Sequence, residues 1–515
     1  MLQRCAGALL LGLPLITLAQ NTPPSPAADA SIEQRLERLE ERQKELEREL
    51  QQKDAKIQEL QKQHAPQAAP SNPTLPAASS QNGTAASAAP AQGTTAQGTT
   101  AQGTTTAASV SAAAPAPHKT WGYYTPNLGF KVVDTDRGDM NVSIYTYVRY
   151  LNQKDLDATY TDAFGNVKSV QQRQDVQLNK VQIKFLGWLL DPKFRYFLYA
   201  WTNNAAMGQG AQVVLAGNLN YTFNKYVTFS AGITSLPGTR SVEGNFPFWY
   251  SVDSRLMADE FFRPSYTSGF WVRGQITDTI KYQSMLGNNL STLGVSAAQL
   301  DNRFNTWANA LIWEPLGDFG LGSGDFEDHE QLAARLAAHY TRSTEDKQSQ
   351  PNTDGFENTQ IRLADGTVVF TPNIFGPGVT INSLQYQMTA ADLGLKYRGW
   401  SLDGEYFMRW LNHFSGPGTA DLSTLYDHGF QLQASYMLVP KAVQLYVGGS
   451  TVEGGTYGNP WDFRTGINYF PFNNKVVRWD TELLWLHKSA TGSTALPYPV
   501  GGSGFVFHTT IEMAL

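Results

Sequence analysis

Beyond residue 121, hydrophobic and polar side chains alternate along most of the chain. In the segment 140–151, for example, Val142, Ile144 and Val148 share one parity, whereas Arg149 falls on the other. An alternation with a period of two residues predicts β-strands that carry one apolar and one polar face. The same pattern returns repeatedly up to the last residue of the chain.

We count sixteen such segments. Most are longer than the usual strand of a globular protein, and they match the length of about 9–11 residues that a tilted strand needs to cross the hydrocarbon layer of a membrane. The predicted strands cover 140–151, 175–188, 193–203, 211–222, 226–234, 269–277, 279–288, 304–314, 330–341, 383–397, 399–410, 428–438, 442–451, 461–470, 475–488 and 504–515.

The connections between these strands alternate between tight turns and long loops. The long loops are 152–174, 235–268, 289–303, 342–382 and 489–503, and only the connection 315–329 is longer than a tight turn should be. An even strand number, with tight turns at one rim and long loops at the other, is typical of outer-membrane barrels. The predicted fold class is all-β, a 16-stranded antiparallel transmembrane β-barrel, because closure pairs every backbone group within lipid.

The composition agrees with this prediction. Only 16% of the 515 residues are charged, 12% are aromatic and 45 are glycine. These values argue against an ordinary cytosolic enzyme. Many of the aromatic residues fall near the ends of predicted strands, where the interfacial girdles of a barrel lie.

The first nineteen residues have the features of an export signal. Arg4 precedes an apolar run from Ala6 to Leu18, and small residues precede the expected cleavage after Ala19. The only cysteine, Cys5, lies inside this signal peptide (1–19). The mature chain therefore has no thiol for disulfides or cysteine-based metal sites.

Residues 31–62 predict an N-terminal α-helical coiled coil. Nine seam positions follow the four-three spacing that makes helices wind around partners. They are Ile32, Leu36, Leu39, Gln43, Leu46, Leu50, Lys53, Ile57 and Leu60. The alternative is a single charged helix, but it would expose its leucines. The seam favours self-association without deciding between a dimer and a trimer.

A low-complexity linker, 63–120, joins the coiled coil to the barrel. It is composed of Ala, Pro, Gln, Ser, Thr and Gly, and it repeats Ala-Gln-Gly-Thr-Thr three times from 91 to 105. Such a segment cannot bury enough apolar surface to offset its chain entropy. We therefore predict a disordered tether.

The barrel region, 121–515, resembles the phosphate-selective porin O/P family of Gram-negative bacteria. The local resemblance lies in Ile233-Thr-Ser-Leu-Pro-Gly-Thr-Arg240, in the acidic and aromatic segment Asp253–Phe262, and in Gly269. The resemblance implies a homotrimeric outer-membrane channel whose third long loop, 235–268, folds inward as a constriction loop. It also implies that the N-terminal region lies in the periplasm.

Charged residues of the constriction loop and of the polar strand faces are the candidate pore lining. In the loop these are Arg240, Glu243, Asp253, Arg255, Asp259, Glu260 and Arg263. On the strands the basic candidates are Arg149, Lys180, Lys184, Arg273, Lys281, Arg335, Arg409, Arg464 and Arg478. Family members that select phosphate place lysines at the constriction, but this loop has none, so the resemblance predicts a porin more firmly than it predicts phosphate.

The sequence thus predicts passive diffusion of small hydrophilic solutes, with anions such as phosphate as candidates, through an outer-membrane porin. One alternative is a saccharide-type porin with a coiled-coil extension, in which loop aromatics form a stacking slide for sugar rings. The candidate slide residues are Phe246, Phe248, Trp249, Tyr250, Phe261 and Phe262. Another alternative is an envelope-tethering barrel. The sequence predicts no catalytic residues, metal site, cofactor or nucleic-acid partner.

Overall fold

The computed structural model describes residues 122–125, 128–203, 212–242, 249–293, 295–301, 303–351 and 359–515. The signal peptide, the coiled coil with its nine seam residues, and the linker predicted for 63–120 lie outside the described residues. Among the described residues, no helix is long and apolar enough to cross a membrane.

Twenty strands and one short α-helix follow one another in the described chain. The strands are β1 (Tyr124–Thr125), β2 (Gly129–Thr135), β3 (Gly138–Asn152), β4 (Thr159–Thr161), β5 (Val167–Ser169), β6 (Gln174–Leu189), β7 (Asp191–Asn203), β8 (Gln212–Asn224), β9 (Val227–Ser235), β10 (Tyr266–Gln275), β11 (Ile280–Asn288), β12 (Thr306–Trp313), β13 (Ala333–Asp346), β14 (Ser383–Tyr397), β15 (Trp400–Ser415), β16 (Leu425–Val439), β17 (Val443–Glu453), β18 (Trp461–Tyr469), β19 (Val477–His487) and β20 (Gly504–Ala514). Helix α1 is Met257–Phe262, and 3₁₀ turns occupy Arg240–Val242 and Gly455–Tyr457.

Sixteen of these strands form a closed antiparallel barrel. Each pairs with the next along the chain from β6 to β20, and β20 pairs back with β3 through Thr510 opposite Arg149. The prediction of a 16-stranded antiparallel barrel is confirmed. Predicted and observed strand bounds differ most at β13, predicted at 330–341, and at the far end of β15, predicted to stop at 410.

The two faces of the barrel strands differ as the alternation predicted. On β15, Asp403, Glu405 and Arg409 are buried on the inner face, whereas Trp400 and Tyr406 are exposed on the outer face. The outer face is rich in large exposed apolar side chains along its whole circumference. In water, the exposed apolar area of such a surface is unfavourable. In a bilayer, lipid chains cover it.

Exposed aromatic residues lie at both ends of the barrel strands. At the tight-turn rim they include Trp313, Trp400, Tyr469 and Trp479, and at the long-loop rim they include Trp307, Trp485 and Phe505. Aromatic side chains favour the interface between hydrocarbon and water. The two rings of aromatics therefore mark the two expected membrane surfaces.

Two features of the barrel differ from what alternation alone predicts. A hairpin of β1 and β2 precedes the first barrel strand, and β2 pairs with the start of β3 from Gly138 to Val142, next to the last residues of the chain. The register of β14 and β15, continuous from Gln385 to Tyr397, shifts between Ser383 and Gln385.

Candidate functional site: the barrel lumen

The described parts of the constriction loop between β9 and β10, residues 236–242 and 249–265, lie inside the barrel and contact the opposite wall. Three wall arginines on β3, β18 and β19 donate hydrogen bonds to backbone carbonyls of this loop. The bonds run from Arg149 Nη2 to Val252 O (2.7 Å), from Arg464 Nη2 to Arg255 O (2.7 Å) and from Arg478 Nη1 to Trp249 O (2.6 Å). Bonds from a charged donor are among the stronger ones, so the loop is firmly docked.

Side-chain contacts of Asp253 fix the middle of the loop. Its carboxylate accepts a hydrogen bond from Tyr147 Oη (2.7 Å) and forms an ion pair with Lys180 Nζ (2.5 Å). Asp253 has a φ of +49°, a conformation that Asp and Asn tolerate better than most residues. Position 253 therefore needs a residue that tolerates a positive φ and also carries a negative charge.

Four of the six candidate slide aromatics are described, and all four are buried between the loop and the wall. Tyr250 stacks on Tyr446 with ring centroids 5.8 Å apart, and Phe262 stacks on Phe407 at 5.2 Å. Trp249 packs in a cluster with Tyr145 and Tyr147. The fourth, Phe261, lies beneath the guanidinium of Arg409 in the wall, with the guanidinium carbon 4.2 Å from the ring centroid.

These contacts hold the loop against the wall through its aromatic residues, as packing favours. Phe246 and Phe248, together with Glu243, lie outside the described residues. Trp249 and Phe261 each also border a cavity of the lumen. The stacking slide therefore stays a prediction that rests on these two side chains.

The nine basic candidates on the strands all lie on the inner face of the barrel, and most of them are engaged by acidic partners. Arg273 and Lys281 are half-buried and the other seven are buried. The ion pairs are Lys281 with Glu314 (2.9 Å), Arg335 with Asp392, Arg409 with Asp427 (2.7 Å), Arg464 with Asp462 (3.4 Å) and Arg478 with Glu512 (2.8 Å). Lys184 Nζ lies over the ring of Tyr145 at 5.8 Å.

A buried cluster on β13, β14 and β15 joins histidine and carboxylate groups. The Asp392 carboxylate accepts a hydrogen bond from Arg335 and lies 2.8 Å from Nε2 of His339. The other ring nitrogen of His339, Nδ1, lies 3.1 Å from the carbonyl oxygen of Pro237. The two ring nitrogens of His339 thus contact the wall on one side and the constriction loop on the other. One ligand atom each from His339, Asp392 and Glu405 lies within 4.8 Å of the other two.

The protein itself satisfies this cluster. Asp392 already contacts Arg335 and His339, and Glu405 accepts bonds from the Arg240 amide (2.9 Å) and from Gln431 Nε2 (3.0 Å). A metal ion would have to displace the Arg335 guanidinium from the Asp392 carboxylate and leave it buried without that counterion. The arrangement is therefore suited to fixing the constriction loop, through Pro237 and Arg240, to the wall.

Two cavities lie on opposite sides of the constriction loop, and Arg255 borders both. The loop-side cavity, of about 610 Å³, faces the long loops, and its charged lining residues are Lys180, Asp253, Arg255, Glu260, Arg263 and Arg362. The turn-side cavity, of about 500 Å³, faces the tight-turn rim, and its charged lining residues are Arg240, Arg255, Asp259, Asp403 and Glu405. Arg255 therefore stands between the two spaces.

Several contacts fix the Arg255 side chain at this boundary. Its guanidinium carbon lies 4.0 Å from the centroid of the Trp249 ring, Nε donates to Ser241 Oγ (3.0 Å), and Nη1 pairs with Glu260 (3.3 Å). Glu260 also binds Arg263, at 2.5 Å. The boundary between the two cavities thus carries a basic group held between an aromatic ring and a carboxylate.

Long loops cover part of the outer mouth. In the β4–β5 hairpin, Lys168 binds Asp162 at 2.9 Å, and the Ala163 amide donates to Asp365 of the loop between β13 and β14. Burial alone would raise the pKa of Asp162, but the hydrogen bonds from Lys168 and Asn166 lower it to about 2. The Asp162 carboxylate is therefore ionised at any physiological pH, and its contact with Lys168 stabilises the β4–β5 hairpin.

No family model matches the chain, and no curated protein matches it. Solved structures similar to the barrel include the trimer form of OmpT, an outer membrane protein of Vibrio cholerae (9% identity, 74% of this chain and 100% of that chain, TM-score 0.46). Others are an anion-selective porin from Comamonas acidovorans (10% identity, 73% and 100%, TM-score 0.45) and the outer membrane channel DcaP of Acinetobacter baumannii (9% identity, 75% and 99%, TM-score 0.44).

Sequence reasoning missed some residues of the lumen. Arg362, in the loop between β13 and β14, reaches the loop-side cavity, and Gly322 and Ser323 of the connection between β12 and β13 reach the turn-side cavity. Alternation assigns strand residues to a face, but it says nothing about where a long loop runs. The unusual length of the connection at 315–329 was the one available signal.

Proposed function

We propose that the protein is an outer-membrane porin of a Gram-negative bacterium, through which small hydrophilic solutes diffuse passively. The observation that carries the proposal is the pair of polar cavities on the two sides of an inward-folded loop, within a barrel whose outer face is apolar. Polar space inside an apolar cylinder is what a water-filled channel requires. Outer-membrane lipid is then the partner of the outer face.

The entry point of the chain supports a periplasmic N-terminal region. The β1–β2 hairpin joins the barrel at the first residues of β3, beside the turn at Leu190 and therefore at the tight-turn rim. In outer-membrane barrels the short turns face the periplasm. The coiled coil would then lie in the periplasm and favour self-association, and the family resemblance favours a homotrimer.

The charges along the path favour small polar solutes with a modest preference for anions. Around the loop-side cavity four basic groups stand against two acidic ones, whereas around the turn-side cavity two basic groups stand against three. Rings of Arg and Lys favour anions, and mixed linings weaken that preference. Phosphate is therefore a candidate solute and not the only one.

The zero-current potential of the reconstituted protein across a potassium chloride gradient tests this function. We expect ion conductance with a modest preference for chloride, and a lower current when millimolar phosphate is added, because phosphate would compete at the basic loop-side cavity. Correctly folded oligomer that gives no conductance would contradict the porin function and favour the envelope-tethering barrel.

A sugar-conducting channel is the second candidate, because Trp249 and Phe261 border the two cavities. If they act as a slide, Trp249→Ala will slow the swelling of liposomes in sugar solutions while leaving chloride conductance unchanged or higher. Phe304→Ala, which removes an exposed aromatic ring of the barrel, is the matched control. An unchanged rate of sugar entry in Trp249→Ala would exclude the slide.

A further inference from the structure

The connection between β12 and β13, residues 314–332, is unusual for its rim. The other connections at this rim run from the single residue 190 to the segment 470–476. We call residues 314–332 the strap. It leaves the wall at Trp313 and returns at Ala333, one strand further round the barrel.

The far end of the strap reaches the opposite side of the mouth. Phe326 packs edge-on against Phe470, with ring centroids 5.0 Å apart, and Glu327 forms an ion pair with Lys475 at 3.0 Å. Both partners belong to the turn between β18 and β19, six strands away in a ring of sixteen. The strap therefore spans the tight-turn mouth.

The ionic contact at this far end persists over the whole physiological pH range. Burial would raise the pKa of Glu327, but Lys475 and Lys396 lower it to about 2. Because the folded-state pKa is depressed, the contact contributes stability above the ordinary pKa of glutamate and loses it only as the pH falls towards 2. The anchor therefore does not respond to ordinary changes in pH.

The middle of the strap is fixed within the lumen. The ring of Phe319, fully buried, lies under Lys396 Nζ at 4.6 Å and near the guanidinium of Arg240 at 5.2 Å. Gly394 provides the space, because a Cβ there would stand 2.5 Å from the Phe319 ring. The backbone amide of Gly399 donates to Asp325 at 2.8 Å.

The strap also touches the constriction loop. Arg240 Nη2 donates to the carbonyl of Gly322 at 3.0 Å, and a Cβ on Gly324 would stand 3.4 Å from the ring of Tyr250. Glycines with positive φ at 317, 320, 322 and 324 allow the chain to follow this path. The strap therefore forms part of the lining of the turn-side cavity, through Gly322 and Ser323.

The strap carries carboxylates and neither lysine nor arginine. Its acidic residues are Glu314, Asp318, Asp325, Glu327, Asp328 and Glu330, and its backbone borders the turn-side cavity. Asp318, Glu327, Asp328 and Glu330 are exposed. Acidic groups at a channel mouth attract cations and repel anions.

We propose that the strap is a second constriction of the channel, which limits solute size at the periplasmic mouth and opposes the anion preference of the arginines further inside. This inference rests on the proposed porin function. It identifies two determinants, the Phe319 anchor for the width of the mouth and the exposed carboxylates for its ion preference.

Two variants separate these determinants in planar bilayers. Phe319→Ala releases the middle of the strap, and we expect a rise of roughly twofold or more in single-channel conductance, because a narrow site in series dominates the resistance of a pore. The triple variant Asp318→Asn/Asp328→Asn/Glu330→Gln leaves the anchors in place, and we expect its zero-current potential to shift towards anion selectivity with little change in conductance.

The controls lie at the same rim outside the strap. Asp191→Asn/Asp278→Asn removes two exposed carboxylates from tight turns, and we expect it to behave like the unmodified channel. The heat-modifiable gel mobility of each variant reports whether its barrel is folded. If the unmodified channel conducts, and both folded variants have its conductance and its zero-current potential, the inference is overturned. An unmodified channel that does not conduct would instead overturn the proposed function.

Discussion

Replacing Arg255 with alanine is expected to raise the single-channel conductance severalfold and to shift the zero-current potential towards cations. The side chain borders both cavities, so its removal widens the boundary between them. It also removes a positive charge from that boundary, which weakens the attraction for anions. Single-channel recording in potassium chloride measures both effects.

The loop should stay in place in this variant. Glu260 keeps its 2.5 Å ion pair with Arg263, and the Arg255 carbonyl still accepts its bond from Arg464 because that bond involves the backbone. A collapse of the loop would therefore not explain a change in conductance. Arg398→Ala, in a tight turn outside the lumen, is the matched control. An Arg255→Ala channel with unchanged conductance and selectivity would mean that ions bypass this boundary.

The sixteen strands could be predicted because lipid imposes a simple rule on each of them. Every second residue must be apolar, as at Val142, Ile144 and Val148, so the pattern is visible without any tertiary information. On β15, alternation puts Asp403 and Arg409 on one face, and both are buried on the inner side of the barrel. The inward path of the constriction loop was implied by resemblance alone, because alternation says nothing about where a long loop runs.

The pairing of charges in the lumen could not be predicted in the same way. Counting residues gives a modestly basic wall, but Arg335, Arg409 and Arg478 are each held by a wall carboxylate, and Arg464 and Arg478 also bind loop carbonyls. Which cations remain to attract a solute depends on contacts between residues far apart in sequence. The basic residues that border the cavities are thus few and lie mainly on the loops.

The strap was beyond prediction for a related reason. Its path depends on Phe319 entering the space left by Gly394, and on Phe326 and Glu327 meeting the turn between β18 and β19. None of these partners is near the strap in sequence, and its glycines could equally belong to an ordinary long turn. Its sequence shows only that the connection is long, glycine-rich and acidic.

The largest expected loss of stability comes from Asp392→Ala. The carboxylate is the shared partner of Arg335 and His339 in the buried cluster, so its removal leaves the buried Arg335 guanidinium without this counterion and the His339 ring without this hydrogen-bond partner. Breaking a buried ion pair by removing one partner typically costs about 3–5 kcal/mol. We expect a clearly lower urea concentration at the midpoint of unfolding. Unfolding of the barrel in detergent is measured by its heat-modifiable gel mobility.

Comparison with a variant that replaces Arg335, His339 and Asp392 together separates charge from packing. In Arg335→Met/His339→Leu/Asp392→Leu the guanidinium is removed together with its carboxylate partner. Replacing a buried ionic group by apolar side chains of similar volume is often close to neutral. We expect this triple variant to be more stable than Asp392→Ala, whereas the exposed change Asp278→Asn should stay within about 0.5 kcal/mol of the unmodified protein. Equal midpoints for Asp392→Ala and Asp278→Asn would show that water reaches the cluster and screens its charges. In that case the inner wall at β13 would border the solute path itself, and Arg335 would count among the groups that a permeating ion meets.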